Sequence, residues 1–365
     1  MKLCKSLFLT VAFLYSTVFA AVISREPYLQ EMTSHSVVIA WRTVDDSIGE
    51  VVYVLKDGSA LGRTIKELKA SKLHHVILQN LLPDTAYQYQ IVSEGKTVEG
   101  SSFKTFPDSD SALFSFGVLG DSGTASSYQK AIAARLATVH PDLVIHTGDV
   151  IYGDKSDKGF DQKFFSIYKT LLSEVPFFLT LGNHDVEVQN GKPYLENYYL
   201  PQNSPGKGRY YSFDCGEAHF ISLDSNESFD PGSTQYEWLK GDLERSRKPL
   251  KIVFFHHPLY SSGFHGSSMR WRHDLQPLFE KEQVSLVFNG HDHDYERSKP
   301  IHGITYVVTG GGGADLYPAF GSSWTADSVT TYNFVYGRVN GKKIHLEAID
   351  QDGKILDQAD LTVNK

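Results

Sequence analysis

The sequence predicts two domains, an N-terminal β-sandwich followed by a layered α/β domain in which helices flank β-sheets. Three observations carry this. The chain has 365 residues, too many for one small core. Its first part alternates apolar and polar residues between closely spaced turns, whereas the remainder alternates strand-like with helix-like segments. Between them, residues 107–112 read "PDSDSA", a polar break led by proline. The expected boundaries are a leader at 1–20, a β-sandwich at 24–107 and the α/β domain at 112–365.

The opening "MKLCKSLFLTVAFLYSTVFAAV" has the form of a secretory signal, with Lys2 and Lys5 before a mostly apolar Leu7–Phe19. That run is short beside the ~20 apolar residues of a membrane span, so cleavage near Ala20 is expected, leaving no span and a secreted or periplasmic product. Only Cys4 and Cys215 are present, and Cys4 leaves with the leader. A single remaining cysteine makes no internal disulfide. Cys215, beside a hairpin turn in "FDCGEAHF", reads as a packed thiol.

In the first domain, Val37, Ile39 and Trp41 of "SVVIAWRT" fall on one strand face. So do Tyr87, Tyr89 and Ile91 of "AYQYQIVS", with Gln88 and Gln90 outward. Turns are expected at Lys56-Asp57-Gly58 and Glu94-Gly95-Lys96. "LLPDTAYQYQI" followed by "SSFKTF" resembles the late strands of a fibronectin type III domain.

In the second domain, "ALFSFGVLGD" and "DLVIHTGD" read as strands. Between them "SSYQKAIAARLATV" sets Tyr128, Ile132, Leu136 and Val139 at helical spacing. "GFDQKFFSIYKTLL" does the same with Phe160, Phe164, Ile167 and Leu171. Strands recur at "PFFLTLGN", "AHFISLDS", "KIVFFHHP", "SLVFNGHD" and "ITYVVTGG". The C-terminal stretch returns to strand pairs around Asn340-Gly341 and Asp352-Gly353. Residues 187–210, loop-like and aromatic, suit either a substrate wall or the cover of a sheet edge.

Donor residues follow the strand ends. "GDSG" gives Asp121, "GDVIYG" gives Asp149 and Tyr152, "GNHD" gives Asn183 with His184 and Asp185, "FFHHP" gives His256 and His257, and "NGHDHD" gives His291 and His293. Singly, each has a bland explanation: a helix cap for an aspartate, a turn for Asn183, a core position for His256. Ligands in open α/β sheets bind beyond the carboxyl ends of strands, where these loops should meet. Taken together, the donors read as a metal site. The set contains carboxylates, an amide oxygen, imidazoles and a phenol but no thiolate, which suits Fe, Mn or Zn. It is too large for one tetrahedral ion and fits two ions sharing a carboxylate. A phenol with an ordinary pKa of ~10 ligates well only to a strong Lewis acid, which points to Fe(III). The formal charge of −8, about −10 once Lys2 and Lys5 are gone, argues against a basic nucleic-acid-binding face. An anionic substrate would then need the positive charge of a metal.

The ordered motifs GDSG, GDVIY, GNHD, VFFH and GHDH resemble the metallophosphoesterase superfamily, and within it the purple acid phosphatases. Where the wider superfamily has a histidine in its first motif this chain has Gly123, and Tyr152 enters the second motif instead, as in the purple branch. The resemblance implies a dinuclear centre of Fe(III) with Fe(II), Zn(II) or Mn(II). Asp121, Tyr152 and His293 would hold the first ion, Asn183, His256 and His291 the second, and Asp149 would bridge them. Asp292, between the two histidines, would support the loop. "YERS" at 295–298 and "TGGGG" at 309–313 would close the site.

The implied activity is that of an exported acid phosphatase. It would hydrolyse small phosphate monoesters by attack of a metal-bound hydroxide between ions about 3.5–4 Å apart. His184 would give the leaving alkoxide its proton or position a phosphate oxygen, and His265, nine residues past His256, would contact substrate. Gly266 replaces a second histidine found in some relatives. His257 would make a supporting hydrogen bond. The same metals could serve a phosphodiesterase or nucleotidase. An inactive binding protein would lack ligands, and none of the seven is missing.

Overall fold

The computed structural model describes residues 21–59, 61–93, 96–108 and 113–362. The expected leader, residues 109–112 of the break and Glu94-Gly95 of one expected turn lie outside them.

Seven strands build the N-terminal sandwich: β1 (Ile23–Gln30), β2 (Ser36–Ser47), β3 (Glu50–Leu55), β4 (Arg63–Lys66), β5 (Ser71–Gln79), β6 (Ala86–Ser93) and β7 (Lys96–Lys104). They form a three-stranded sheet, β1-β2-β5, and a four-stranded sheet, β4-β3-β6-β7. Val37, Ile39, Trp41, Tyr87, Tyr89 and Ile91 are buried on the faces that alternation assigns them, and Gln88 and Gln90 are exposed. Alternation does not anticipate that Val38 and Ala40 are buried too. Ala40 pairs with Tyr28 on one side and His75 on the other, so the three share a face. That face packs on the second domain: Tyr28 donates to the Asn197 carbonyl at 3.0 Å and the His75 ring lies 4.6 Å from Tyr199.

The second domain has two sheets. The six-stranded one runs β10 (Phe177–Leu179), β9 (Leu143–His146), β8 (Leu113–Leu119), β18 (Asn333–Asn340), β19 (Lys343–Asp350), β20 (Ile355–Thr362). The seven-stranded one runs β11 (Tyr211–Cys215), β12 (Ala218–Ser222), β13 (Leu250–Phe254), β14 (Leu286–Asn289), β16 (Thr305–Thr309), β15 (Tyr295–Ser298), β17 (Thr325–Val329). Phe116 of β8 meets Phe220 and Phe288 edge-on at 6.0 Å, so the sheets face each other. Phe220, Ile252, Phe254 and Phe288 fill that interface. The alternate Ile221, Val253 and Val287 bury against Leu239 and Leu243 of α5 (Thr234–Arg245) and Leu275 and Phe279 of α6 (Met269–Lys281). Strands β12, β13, β14 and β16 are parallel, as are β8, β9 and β10. Their near-continuous apolar runs reflect burial on both faces.

Helix α1 (Ser127–Val139) buries Ile132 and Leu136, but Tyr128 is exposed and stacks on Tyr332 at 4.1 Å. Gln129 takes the inward position, its amide donating to the Lys163 carbonyl at 2.7 Å. The next helical stretch is α2 (Asp157–Phe160), a π-helical turn at Asp161–Phe165 and α3 (Ser166–Leu172). Phe160, Phe164 and Leu171 are buried as expected, while the widened turn also brings Phe165 and Tyr168 inward and leaves Ile167 only partly buried.

Beyond Glu187, residues 187–210 pack largely at a domain junction, a role neither expectation named. They include α4 (Lys192–Asn197), and Tyr194 and Tyr198 are buried, Tyr198 against Phe160, Phe164 and Phe165. Asn197 accepts from Arg25 Nη1 at 2.8 Å, and the Arg25 guanidinium lies 3.7 Å over Phe165 and pairs with Asp161. The buried apolar residues of both domains are continuous through this region. Cys215 is fully buried, and burial pushes its thiol well up, as a packed thiol requires.

Asp161 keeps some water contact while Arg25 does not. Arg25→Ala is therefore expected to cost about 2–3 kcal/mol, below the range for breaking a fully buried pair. Calorimetry of the variant should show an earlier unfolding transition; an unchanged transition would mean the junction does not depend on this arginine.

Candidate metal centre

The parallel strands of both sheets present their carboxyl ends to one place, and the chain turns sharply there. Asp121 after β8 has φ of 56°, Asp149 after β9 has 53°, and His291 after β14 has 70°. All three are left-handed, a conformation that costs non-glycine residues about 1–3 kcal/mol and persists where surroundings over-determine it. Hydrogen bonds between the turns do so here. Asp121 N donates to the Gly148 carbonyl at 3.0 Å, and His291 N donates to Asp121 Oδ2 at 2.9 Å. Asp149 Oδ1 accepts His184 N at 2.9 Å. A side chain on Gly290 would lie 2.3 Å from Asp121 Oδ2, and one on Gly182 2.1 Å from Asp149 Oδ1.

The remaining donors converge on the free oxygens. The Tyr152 hydroxyl lies 3.3 Å from Asp121 Oδ1 and 3.2 Å from His293 Nε2, and His293 Nε2 is 3.4 Å from Asp121 Oδ1. A second group forms beside it. His256 Nε2 is 3.0 Å from Asn183 Oδ1, 3.2 Å from His291 Nδ1 and 3.5 Å from Asp149 Oδ2. Asp149 adjoins both groups: a carboxylate oxygen of it, one of Asp121 and a nitrogen of His256 all lie within 4.8 Å of one another. The outward nitrogens are tied down: His256 Nδ1 donates to the Thr147 carbonyl at 2.9 Å, and His293 Nδ1 to the Asp315 carbonyl at 2.6 Å. With the proton held on Nδ1, the Nε2 lone pair faces the cluster, as in imidazoles that bind metal.

Electrostatics favour a cation there. Burial, and then the charge of Asp121, pushes the Asp149 carboxyl well up; burial also raises Asp121 against the pull of His293. Burial followed by neighbouring imidazoles drives His256 well down and His291 to about 2, so both are neutral. Burial, then Asp121 and Asp149, raises Tyr152. Two buried carboxylates beside neutral imidazoles and a phenol are a donor set that fits divalent or trivalent ions.

Gly123 explains how Tyr152 gets in. A Cβ there would lie 2.1 Å from Ile151 Cα and from the Val150 carbonyl oxygen, while Tyr152 N donates to the Gly123 carbonyl at 2.9 Å. The space a histidine would need at 123 is occupied by the backbone that delivers the phenol.

His184 and His265 stand further out, their side chains 38% and 32% exposed, at the mouth above the buried donors. Glu187 accepts from His184 Nδ1 at 2.6 Å, and His184 Nε2 is 4.0 Å from Asp149 Oδ2. His265 stacks on His291 at 4.2 Å. Asp292 points away from the donors and holds the His265 loop, accepting from His265 N at 2.7 Å, from Gly266 N at 3.1 Å and from the Ser261 hydroxyl. His257 Nδ1 bonds Ser225 Oγ at 2.7 Å, yet a ring nitrogen of His257 also lies within 4.8 Å of nitrogens of His256 and His291. It is nearer the donors than a purely supporting role suggests.

Other residues support the seven donors. Asp185 is buried, and its carboxylate accepts the amides of Gly182 at 2.9 Å and Val150 at 3.1 Å, binding the turn of Asn183 to that of Asp149. Its place next to the Asn-His pair was the available signal. The Thr147 and Asp315 carbonyls are backbone groups with none. Tyr295 and Arg297 of "YERS" bond Asp357 of β20 at 2.7 and 2.6 Å, joining the two sheets. Gly312 of "TGGGG" donates to the Gly120 carbonyl at 3.0 Å beside the Asp121 turn.

Comparisons with known proteins agree with this architecture. A family model described as calcineurin-like phosphoesterase matches residues 114–295, and one described as purple acid phosphatase, N-terminal domain, matches 27–105. Purple acid phosphatase 21 of Arabidopsis thaliana is 31% identical over 276 residues, covering 70% of this chain and 62% of its own length. Phosphoenolpyruvate phosphatase of Allium cepa is 30% identical over 305 residues, 76% of this chain and 63% of its own. The chain therefore spans less than two thirds of either relative. A purple acid phosphatase from yellow lupin seeds, 21% identical, has the same fold with a TM-score of 0.83 over 94% of this chain and 74% of that one. By its matched domains and these relatives, the chain belongs to the purple acid phosphatase family.

Proposed function

We propose that the protein is an exported acid phosphatase that hydrolyses small phosphate monoesters at a dinuclear metal centre. The observation that carries this is the pair of donor groups meeting at Asp149. Asp121, Tyr152 and His293 would hold Fe(III), while Asn183, His256 and His291 would hold Fe(II), Zn(II) or Mn(II), with Asp149 shared. When bound, the ions supply Lewis acidity to the phosphoryl oxygens and a deprotonated water as nucleophile. Export rests on the basic and apolar character of residues 1–20. No helix among the described residues is long and apolar enough to cross a membrane.

The chain's own groups have defined tasks in this reading. Asp292 positions His265 beside His291, where its ring can meet a phosphate oxygen. Glu187 orients His184 through Nδ1, leaving Nε2, 4.0 Å from Asp149 Oδ2, to donate a proton to the leaving alkoxide. The tied-back Nδ1 protons of His256 and His293 keep those rings in one tautomer throughout.

The direct test compares p-nitrophenyl phosphate with bis(p-nitrophenyl) phosphate at acid pH, before and after chelation and reloading with iron and zinc. Faster monoester turnover that is lost and restored with metal is expected; a diester preference would make the protein a phosphodiesterase. His184→Ala should lower kcat on an alkyl monoester by about 10²–10⁴-fold. The loss on p-nitrophenyl phosphate, whose leaving group needs no proton, should be much smaller. Equal losses on both would remove His184 from proton donation.

A further inference from the structure

Exposure rises steadily outward from the donors. Asp121 and His256 are fully buried, the His184 and His265 side chains are about a third exposed, and Phe264, next in the chain, is 65% exposed. A lone exposed phenylalanine would need no explanation. This one is part of a continuous arc of rings. Tyr317 stacks on His293 with centroids 4.2 Å apart and planes 14° apart. Phe264 lies 5.4 Å from Tyr317 and 5.2 Å from His265, and His265 in turn stacks on His291. The arc runs from a donor of one group to a donor of the other and stands on one side of the mouth.

The two loops carrying the arc are fixed to each other and to the floor. Asp292 holds the amides of His265 and Gly266 and the Ser261 hydroxyl, and approaches so closely that a Cβ on Gly263 would lie 2.6 Å from its carboxyl carbon. Ser262 N donates to Glu296 Oε2 at 2.6 Å, while Ser262 Oγ accepts Gly321 N at 2.8 Å from the other loop. Tyr317 N donates to the His293 carbonyl at 3.1 Å. The exposed ring is thus presented by backbone that is already ordered, the condition under which aromatic contacts add to binding with little entropy lost.

We propose that Phe264 and Tyr317 form a specificity rim that selects phosphate monoesters whose leaving group carries a planar aromatic ring. The inference rests on the phosphatase reading and names its substrate class. With phosphate on the floor beside His265, the ester oxygen leads outward along the wall. A flat ring there stacks on Phe264 and the edge of Tyr317, whereas a puckered ring of the same size makes only apolar contact.

Benzyl phosphate and cyclohexylmethyl phosphate test this, since both release a primary alcohol with similar demand for a proton. The metal-loaded protein is expected to favour the benzyl ester about 3- to 10-fold in kcat/KM, mainly through KM. Phe264→Ala and Phe264→Leu should both bring the ratio to near one, and Phe264→Trp should keep it. Inhibition by inorganic phosphate, which reaches only the floor, reports whether the centre is intact in each variant. Equal rates in the unmodified protein, or a ratio that survives Phe264→Leu, would overturn the rim. Absence of turnover on either ester would instead defeat the phosphatase reading. The affinities of benzylphosphonate and cyclohexylmethylphosphonate then decide the rim, equal values overturning it.

Discussion

Asp121 and Asp149 are buried together, and each has one oxygen bonded to a backbone amide and the other facing imidazole nitrogens. Two such carboxylates repel each other and resist ionising in a dry site. Their burial is therefore tolerable only if they are protonated or if cations lie between them. The rest of the centre is built to the second solution. Burial drives His256 and His291 toward the neutral form, His256 and His293 turn their Nδ1 protons outward onto carbonyls, and a phenol is brought in that only a strongly acidic ion would bind.

Architecture serves this constraint. Parallel strands in two facing sheets bring five turns to one point, and glycines at the contacts remove the side chains that would hold the turns apart. Asp185 and Asp292 act one step further out, fastening the turns and the His265 loop through backbone amides. The N-terminal sandwich closes the domain through the Tyr28, Ala40 and His75 face, with Arg25 set into the aromatic core of its neighbour.

Much of this was legible in the sequence because it depends on local pattern. The strand ends declare themselves by an apolar run followed by glycine and a donor, and the phenol of Tyr152 beside Asp149 is what raises the expectation of a ferric ion. What the pattern could not carry was long-range. The C-terminal strand β18 pairs with β8 in mid-sheet, a choice made by partners more than two hundred residues apart. Tyr128 was misassigned because a polar Gln129 turns inward to bond the Lys163 carbonyl, and periodicity counts only apolar residues. The π-helical turn brings Phe165 and Tyr168 inward and leaves Ile167 half-buried, which no spacing rule foresees. Residues 187–210 were expected at a substrate wall or a sheet edge; their packing at the domain junction depends on partners such as Arg25 and Asn197, 172 positions apart.

In the proposed centre Tyr152 sits on a ferric ion beside a second metal. The visible absorption spectrum of the purified protein, measured with its metal content and compared with Tyr152→Phe, tests it most directly. A broad phenolate-to-Fe(III) band at two metals per chain, lost in Tyr152→Phe, is the expected result. Two bound metals with no such band would contradict it: Tyr152 would then be a neighbour of the centre and not a ligand, and the ferric assignment would fall.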